Sequence, residues 1–198
     1  MPIRPSTATV TGTRVYLRPP AATDAAAFVA AARASRRHHG PWTSPPDTRA
    51  RFALYVGRYA GDPATAKDVG FLVFRREDDA LVGVFNFSEI VRGVFRSTYL
   101  GYYGFAPHAG QGYMTEGMAL ALDVAFRRLG LHRVEVNIQP TNERSLALAR
   151  RVGFRREGYS PRYVKIAGRW RDHVRFAILA EEWRERRGRV LRPRARRA

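Results

Sequence analysis

The chain has 198 residues and a formal net charge of +18, from 35 lysine and arginine residues against 17 aspartate and glutamate residues. Its length suits a single domain, and its 45% hydrophobic content can build a core, which excludes a wholly disordered chain. The absence of cysteine excludes disulfides, thiolate metal sites and cysteine nucleophiles. No apolar stretch reaches the roughly 18 residues of a membrane span, and residues 1–15 lack the regions of a signal peptide. We therefore expect a cytoplasmic protein without a membrane partner.

The positive charge extends over the whole chain. Residues 184–198 contain eight arginines and one glutamate, which leaves a net charge of +11 on the 183 residues before them. Such a field attracts polyanions, namely phosphorylated cofactors, nucleic acid or an RNA-rich assembly. The alternative is a solvated basic face with no specific partner. No base-reading motif is present, so we do not expect sequence-specific binding of nucleic acid.

The front half of the chain alternates short apolar runs with proline and glycine. We predict, in chain order, a strand at 14–18, an alanine-rich helix at 23–36, a loop at 38–46, a helix from Asp47 to Tyr59, and strands at 69–75, 81–87 and 98–105.

The back half contains a clear helical repeat. Apolar residues recur every three or four positions at Met114, Met118, Leu122, Ala125 and Leu129. After this helix we predict a strand at 133–138, a helix from Asn142 to Gly153, and strands at 154–157 and 173–179. Helices in the N-terminal part and alternating strands and helices in the C-terminal part indicate a mixed α/β or α+β sheet. We expect residues 1–183 to form one domain and residues 184–198 to form a flexible basic tail.

The most informative segment is YLGYYGFAPHAGQGYMTE, residues 99–116. A strand leads into a Gly-x-Gly turn at Gly110 and Gly112, and a helix follows at once. Unpaired N–H groups and the dipole of a helix N-terminus favour an anion such as a pyrophosphate. Simple helix capping by glycine is the alternative. The segment is neither a Rossmann fingerprint nor a Walker loop, because it lacks the third glycine of the first and the Gly-Lys-Ser/Thr of the second.

Together with LHRVEVNIQPTNERS, RRVGFRREGY and GRWRDHV, this segment resembles the GNAT family of acetyl-CoA-dependent N-acetyltransferases, and within it the ribosomal-protein alanine N-acetyltransferase branch. The resemblance covers residues 14–183. It implies a central, mixed and mostly antiparallel sheet of about seven strands, splayed at the cofactor site and flanked by about four helices. It also implies acetyl-CoA as the co-substrate and no metal.

The resemblance further implies which residues bind acetyl-CoA. The backbone of the turn would hold the pyrophosphate, the strand before it would pair with the pantetheine arm, and residues of the second helix would contact pantetheine and phosphates. The implied residues are Tyr103, Phe105, Ala106, Gly110, Gln111, Gly112, Tyr113, Met114, Thr115, Asn142, Ser145 and Arg150. Asn142 also suits a helix N-cap, and Arg150 also suits a solvated helix surface.

The expected chemistry is attack of a neutral amine on the thioester of acetyl-CoA. Many relatives protonate the departing thiolate with a tyrosine, but Ala149 stands at that position here. The resemblance instead implies Ser145 as the general acid or hydrogen-bond donor. For the general base, Arg162 stands where relatives often carry an acid, so Glu89 is the first substitute and Glu116 the second. Glu116 is equally explained by the dipole of its helix.

Three functions remain open at this point. The first is acetylation of a protein N-terminus, an alanine or serine of a ribosomal protein, by a monomer or homodimer that approaches the ribosome surface. The second is acetylation of a small amine such as an antibiotic, an amino acid or a polyamine. The third is a non-catalytic ribosome- or RNA-binding protein that retains the GNAT fold.

Overall fold

The computed structural model describes residues 10–40 and 42–191. Its elements are β1 (Val10–Thr11), β2 (Val15–Arg18), α1 (Ala25–Ala34), α2 (Arg36–His39), α3 (Arg49–Tyr59), β3 (Val69–Arg75), β4 (Leu81–Val91), β5 (Ser97–Gly104), α4 (Tyr113–Asp123), β6 (Arg133–Ile138), α5 (Glu143–Val152), β7 (Arg155–Ile166), β8 (Arg169–Leu179) and α6 (Ala180–Leu191). A π-helical turn, Val124–Arg128, extends α4. Within the described ranges, no helix is both long and apolar enough to cross a membrane.

The strands form one eight-stranded sheet in the order β1-β2-β3-β4-β5-β6-β8-β7. Neighbouring strands are antiparallel except β5 and β6, which are parallel. A parallel pair needs a crossover connection, and α4 supplies it. The sheet therefore consists of two antiparallel halves that meet at one parallel pair.

Each face of the sheet carries its own hydrophobic core. The main core includes Phe85, Met118 and Phe176, so α4 packs on the same face as the inward residues of β4 and β8. A second core, which includes Phe28 and Phe52 of α1 and α3, covers the opposite face over β3 and β4. On β6 the side chains alternate between buried and partly exposed, because one face of this strand meets the main core and the other does not.

The predicted mixed fold is confirmed, with differences in detail. The strands at 69–75 and 133–138 have the predicted bounds, because their hydrophobic pattern is unambiguous. The sheet has eight strands because a two-residue strand, β1, adds to its edge. The β7–β8 hairpin, residues 155–179, is much longer than predicted, since its outer half is polar and exposed and shows no hydrophobic alternation.

The C-terminal helix corrects the prediction of a flexible tail from residue 184. Residues 184–191 belong to α6, which is anchored on the end of α4. The Trp183 Nε1–H and Arg187 Nε–H groups donate hydrogen bonds to Asp123 Oδ1 at 2.9 and 2.7 Å. A mostly charged helix with one buried tryptophan gives little periodic signal, which is why the sequence did not reveal it. The rest of the predicted tail, residues 192–198, lies outside the described residues.

Candidate active site

A cleft opens where β5 and β6 diverge. The two strands pair only between residues 97–99 and 133–135, although both continue for several residues beyond. Each strand stays paired on its outer side, β5 with β4 and β6 with β8, so the two halves of the sheet spread apart. The resulting cleft has a volume of approximately 1090 Å³. Its walls include the turn before α4, the start of α5 and residues of α2 and the β7–β8 hairpin.

The backbone of β5 presents free hydrogen-bonding groups to this cleft. Phe105 N–H donates to Val82 O at 2.8 Å, and β5 runs antiparallel to β4 with Gly104 opposite Gly83. Backbone groups alternate in direction along an antiparallel pair. The N–H and C=O groups of Tyr102 and Gly104 therefore point away from β4 and into the gap. An extended ligand can pair with them as an added strand would.

The glycine turn before α4 forms a second wall of the cleft. Gly110 and Gly112 have φ angles of +77° and +81°, in the left-handed region that strains other residues. Gly112 is the N-cap of α4 and lines the cleft. Arg14 Nη1 donates to Gln111 O at 3.0 Å and holds the turn from behind. The first N–H groups of α4 and its dipole therefore provide a place for phosphate oxygens.

Ser145 is held in the cleft by contacts on both sides of its backbone. Its N–H donates to Asn142 Oδ1, the N-cap of α5, at 3.2 Å. Its carbonyl oxygen accepts a hydrogen bond from the Tyr102 hydroxyl at 3.0 Å. Burial raises the pKa of Tyr102, so this phenol stays a neutral donor. The contacts fix the Ser145 main chain and leave its hydroxyl available to a ligand.

Comparison with known proteins decides the family. Residues 14–155 match the family model described as an acetyltransferase (GNAT) domain. The chain is a GNAT acetyltransferase. Its sheet, splayed at one parallel pair, and its glycine turn are consistent with this family.

Individual relatives agree with this assignment of the acetyltransferase. The Bacillus subtilis protein called Probable N-acetyltransferase YjcK is 37% identical over 131 residues, which are 66% of this chain and 70% of that protein. The Escherichia coli ribosomal protein uS5-alanine N-acetyltransferase is 40% identical over 113 residues, which are 57% of this chain and only 58% of that enzyme. The structure of Mycobacterium smegmatis RimJ in complex with CoA-disulfide superimposes with a TM-score of 0.77 at 31% identity, covering 85% of this chain and 83% of that one.

The residues present fit acetyl-CoA as the co-substrate of this acetyltransferase. The N–H and C=O groups of Tyr102 and the N–H group of Gly104 suit the amides of pantetheine, whereas Gly104 O is bound by His39. The Gly110–Gly112 turn suits the pyrophosphate. Asn142 Oδ1 is engaged as the helix cap, so the Asn142 amide nitrogen is the side-chain group that can donate to a ligand. Within residues 10–40 and 42–191, no cluster of three or more histidine and acidic side chains is placed to hold a metal ion.

The predicted cofactor-binding residues of the acetyltransferase divide into two groups. Those that line the cleft are Tyr103, Phe105, Gly110, Gly112, Met114, Thr115, Asn142 and Ser145. Those that lie outside its lining are Ala106, Gln111, Tyr113 and Arg150.

The residues outside the lining have other contacts or other directions. Ala106 N–H is bound to Ser35 Oγ at 2.9 Å, the Gln111 side chain turns back to Pro107 O, and the Tyr113 ring lies under Arg14. Arg150 lies outside the lining whereas its neighbour Arg151 lines the cleft, because adjacent residues point to different sides of a helix.

Neither predicted general base lies in the cleft. Glu116 accepts hydrogen bonds from Arg14 N–H at 2.8 Å and from Arg14 Nε–H at 3.2 Å, so it fastens α4 to the start of β2. Glu89 stands on a bulge of β4 and forms an ion pair with Lys67 at 2.7 Å, with half of its side chain exposed. We therefore correct both assignments, since a base must reach the amine from within the cleft.

Four histidines line the cleft, and two of them, His39 and His173, are buried, although the sequence did not single them out as bases. His39 is 5% exposed and donates from Nε2 to Gly104 O at 3.0 Å, so its Nδ1 carries the lone pair when the ring is neutral. His173 is 4% exposed and donates from Nδ1 to Arg171 O at 2.9 Å, which leaves the lone pair on Nε2. Burial lowers the pKa of both rings and keeps them neutral near pH 7. Only the folded chain brings these two residues to one cleft.

The charged groups around the cleft are mostly positive. Arg37, Arg144 and Arg151 line it, and Glu143 is the one carboxylate among its described lining residues. Arg144 is held by a hydrogen bond from Nη1 to His38 Nδ1 at 2.9 Å. This balance suits the phosphates of CoA at one end of the cleft and disfavours a polycationic acceptor.

Proposed function

We propose that this acetyltransferase acetylates the N-terminal α-amino group of a protein, and that its acceptor is a ribosomal protein that begins with alanine or serine. One observation carries the choice of acceptor, namely the 40% identity to an enzyme named for the alanine of ribosomal protein uS5. Residues of α2 and of the β7–β8 hairpin line the cleft together with the cofactor turn and offer a surface to a peptide acceptor.

The charge around the cleft argues for a terminal amine over a polyamine. The arginines Arg37, Arg144 and Arg151 repel a substrate that carries several ammonium groups. An N-terminal α-amino group has a pKa of about 7.7–8.0, against about 10.4 for lysine. A substantial fraction is therefore neutral at physiological pH, and the site needs only a weak proton acceptor.

Bound acetyl-CoA supplies a thioester whose carbonyl carbon the neutral amine attacks directly. The backbone N–H groups on the free edge of β5 stabilise the negative charge that develops on the carbonyl oxygen. The Ser145 hydroxyl donates a hydrogen bond to the sulfur as the C–S bond breaks and the new C–N bond forms. The surplus amine proton passes to a neutral group in the cleft, for which His39 and His173 are available.

The decisive experiment compares N-termini of ribosomal proteins by mass spectrometry in cells with and without the gene. We expect one ribosomal protein with an alanine or serine terminus to lose its acetyl group, and the purified enzyme to restore it with acetyl-CoA. Unchanged termini would contradict the proposed acceptor. Turnover with spermidine or an aminoglycoside but with no peptide would favour a small amine. Failure to bind acetyl-CoA in calorimetry would favour a non-catalytic binder.

A further inference from the structure

Three buried polar atoms form an unusual group beside the cleft. Asn137 Oδ1, Arg171 Nε and Arg175 Nε are the buried side-chain nitrogen and oxygen atoms without a hydrogen-bond partner in the described part of the chain. Buried polar groups are almost always paired, because leaving one unpaired costs about 1–3 kcal/mol. Asn137 and Arg175 are cross-strand partners and Arg171 lies farther along the strand of Arg175, so two donors and an acceptor line one stretch of the sheet and suit a polar ligand.

The strand register brings these residues together on one face of the sheet. Asn137 of β6 stands directly opposite Arg175 of β8, and cross-strand partners share a face. Arg171, His173 and Arg175 alternate along β8, so they point to the same side. His173 and Asn137 line the cleft themselves, and the two arginines flank His173. These four side chains, Asn137, Arg171, His173 and Arg175, therefore form a row that continues directly from the cleft.

The charges of this row are not neutralised by neighbouring acids. Neither Arg171 nor Arg175 forms an ion pair with a described residue, whereas Glu135 and Glu157 are both bound to Arg133. The other titratable groups near Arg175 are Tyr99 and its partner Tyr163. Gly158 lies opposite Arg175, and a Cβ there would approach Arg175 Nη2 to 3.0 Å. The absence of a side chain at this position leaves room for the guanidinium.

We propose that Asn137, Arg171 and Arg175 form an acceptor subsite for a carboxylate close to the amine that is acetylated. The two guanidinium groups bind the carboxylate, since arginine is the preferred partner of carboxylates. Asn137 Oδ1 accepts a hydrogen bond from an N–H group of the same acceptor. The carboxylate comes from an acidic side chain near the N-terminus of a protein or from the α-carboxylate of an amino acid. This inference rests on the proposed function and specifies its acceptor.

The test uses two acceptor peptides that differ only at the second residue, Ala-Glu and Ala-Gln, together with free alanine. We expect the wild-type enzyme to acetylate the Glu peptide with a KM about tenfold lower, because a charge-assisted hydrogen bond is worth about 1.5–3 kcal/mol. The Arg175→Gln and Arg171→Gln variants should remove this preference, so that each variant gives the same KM for both peptides. Arg156→Gln is the matched control, since Arg156 lies on the same hairpin opposite Phe176 of the main core, on the other face.

Binding measurements separate this inference from the proposed function. Calorimetric titration of the two peptides into the enzyme with CoA measures their affinity for the subsite even without turnover. Equal affinity and equal KM for the Glu and Gln peptides would overturn the subsite, as would a preference that survives in both arginine variants. Acetylation of neither peptide would overturn the proposed function. Preference for free alanine over both peptides would assign the carboxylate to an amino acid.

Discussion

Replacing Ser145 by alanine removes one hydroxyl from the cleft and little else. The two contacts that position residue 145 involve its main chain, the N–H bond to Asn142 Oδ1 and the carbonyl bond from the Tyr102 hydroxyl. Alanine keeps both, and it is a better helix former than serine. We therefore expect the thermal stability and the affinity for acetyl-CoA to stay close to those of the wild type. The loss should fall on the step in which the thiolate departs.

The size of that loss follows from the hydrogen bond that Ser145 offers. A hydrogen bond to a charged group is worth about 1.5–3 kcal/mol, and each 1.36 kcal/mol changes a rate tenfold. We expect kcat to fall by about 10- to 150-fold, measured by release of the CoA thiol at saturating acetyl-CoA. Tyr102→Phe is the control that keeps the serine hydroxyl but frees its carbonyl, and it should lower kcat less. A kcat within twofold of wild type in Ser145→Ala would refute the assignment.

Further predictions concern the turn, the C-terminal helix and the buried histidine. Gly112→Ala forces a side chain into a φ of +81°, and we expect a several-fold weaker affinity for acetyl-CoA in calorimetry; unchanged affinity would show that the turn does not bind the cofactor. Deleting residues 184–198 removes Arg187, which pairs with Asp123, so the melting temperature should fall by several degrees, and an unchanged melting temperature would contradict this role of α6. Because burial lowers the pKa of His39 below 6.5, the unfolded state binds more protons in acid. The free energy of unfolding should therefore fall as the pH drops below about 6.5, and it should fall less in the His39→Gln variant. An equal dependence of this free energy on pH in both proteins would contradict a lowered pKa of His39.

Most of the residues predicted for the cofactor side line the cleft, because that side is built from local segments. The Gly110–Gly112 turn and the start of α5 are each continuous in the chain. Glycine at a left-handed φ and asparagine at a helix cap are signals that a single segment carries. Ser145 follows its cap by three residues, so its place in the cleft was also predictable.

The row formed by Asn137, Arg171 and Arg175 could not be predicted because it depends on the pairing of distant strands. Arg175 meets Asn137 only through the register of β8 on β6, and a shift by one residue would turn Arg175 to the other face. The base assignments failed for the same reason. Glu89 sits on a β-bulge that changes the direction of its side chain, and Glu116 is bound to Arg14, more than a hundred residues away.

The structure also changes how the charge of +18 should be interpreted. Many arginines of the described chain are neutralised locally, as in the pairs Arg18–Asp24 and Arg187–Asp123, and add little long-range field. The arginines that matter for recognition are those without an acidic neighbour, and several of these stand around one cleft. A field concentrated in this way attracts anionic ligands to the cleft. It therefore explains a basic enzyme without any requirement that the protein read nucleic acid.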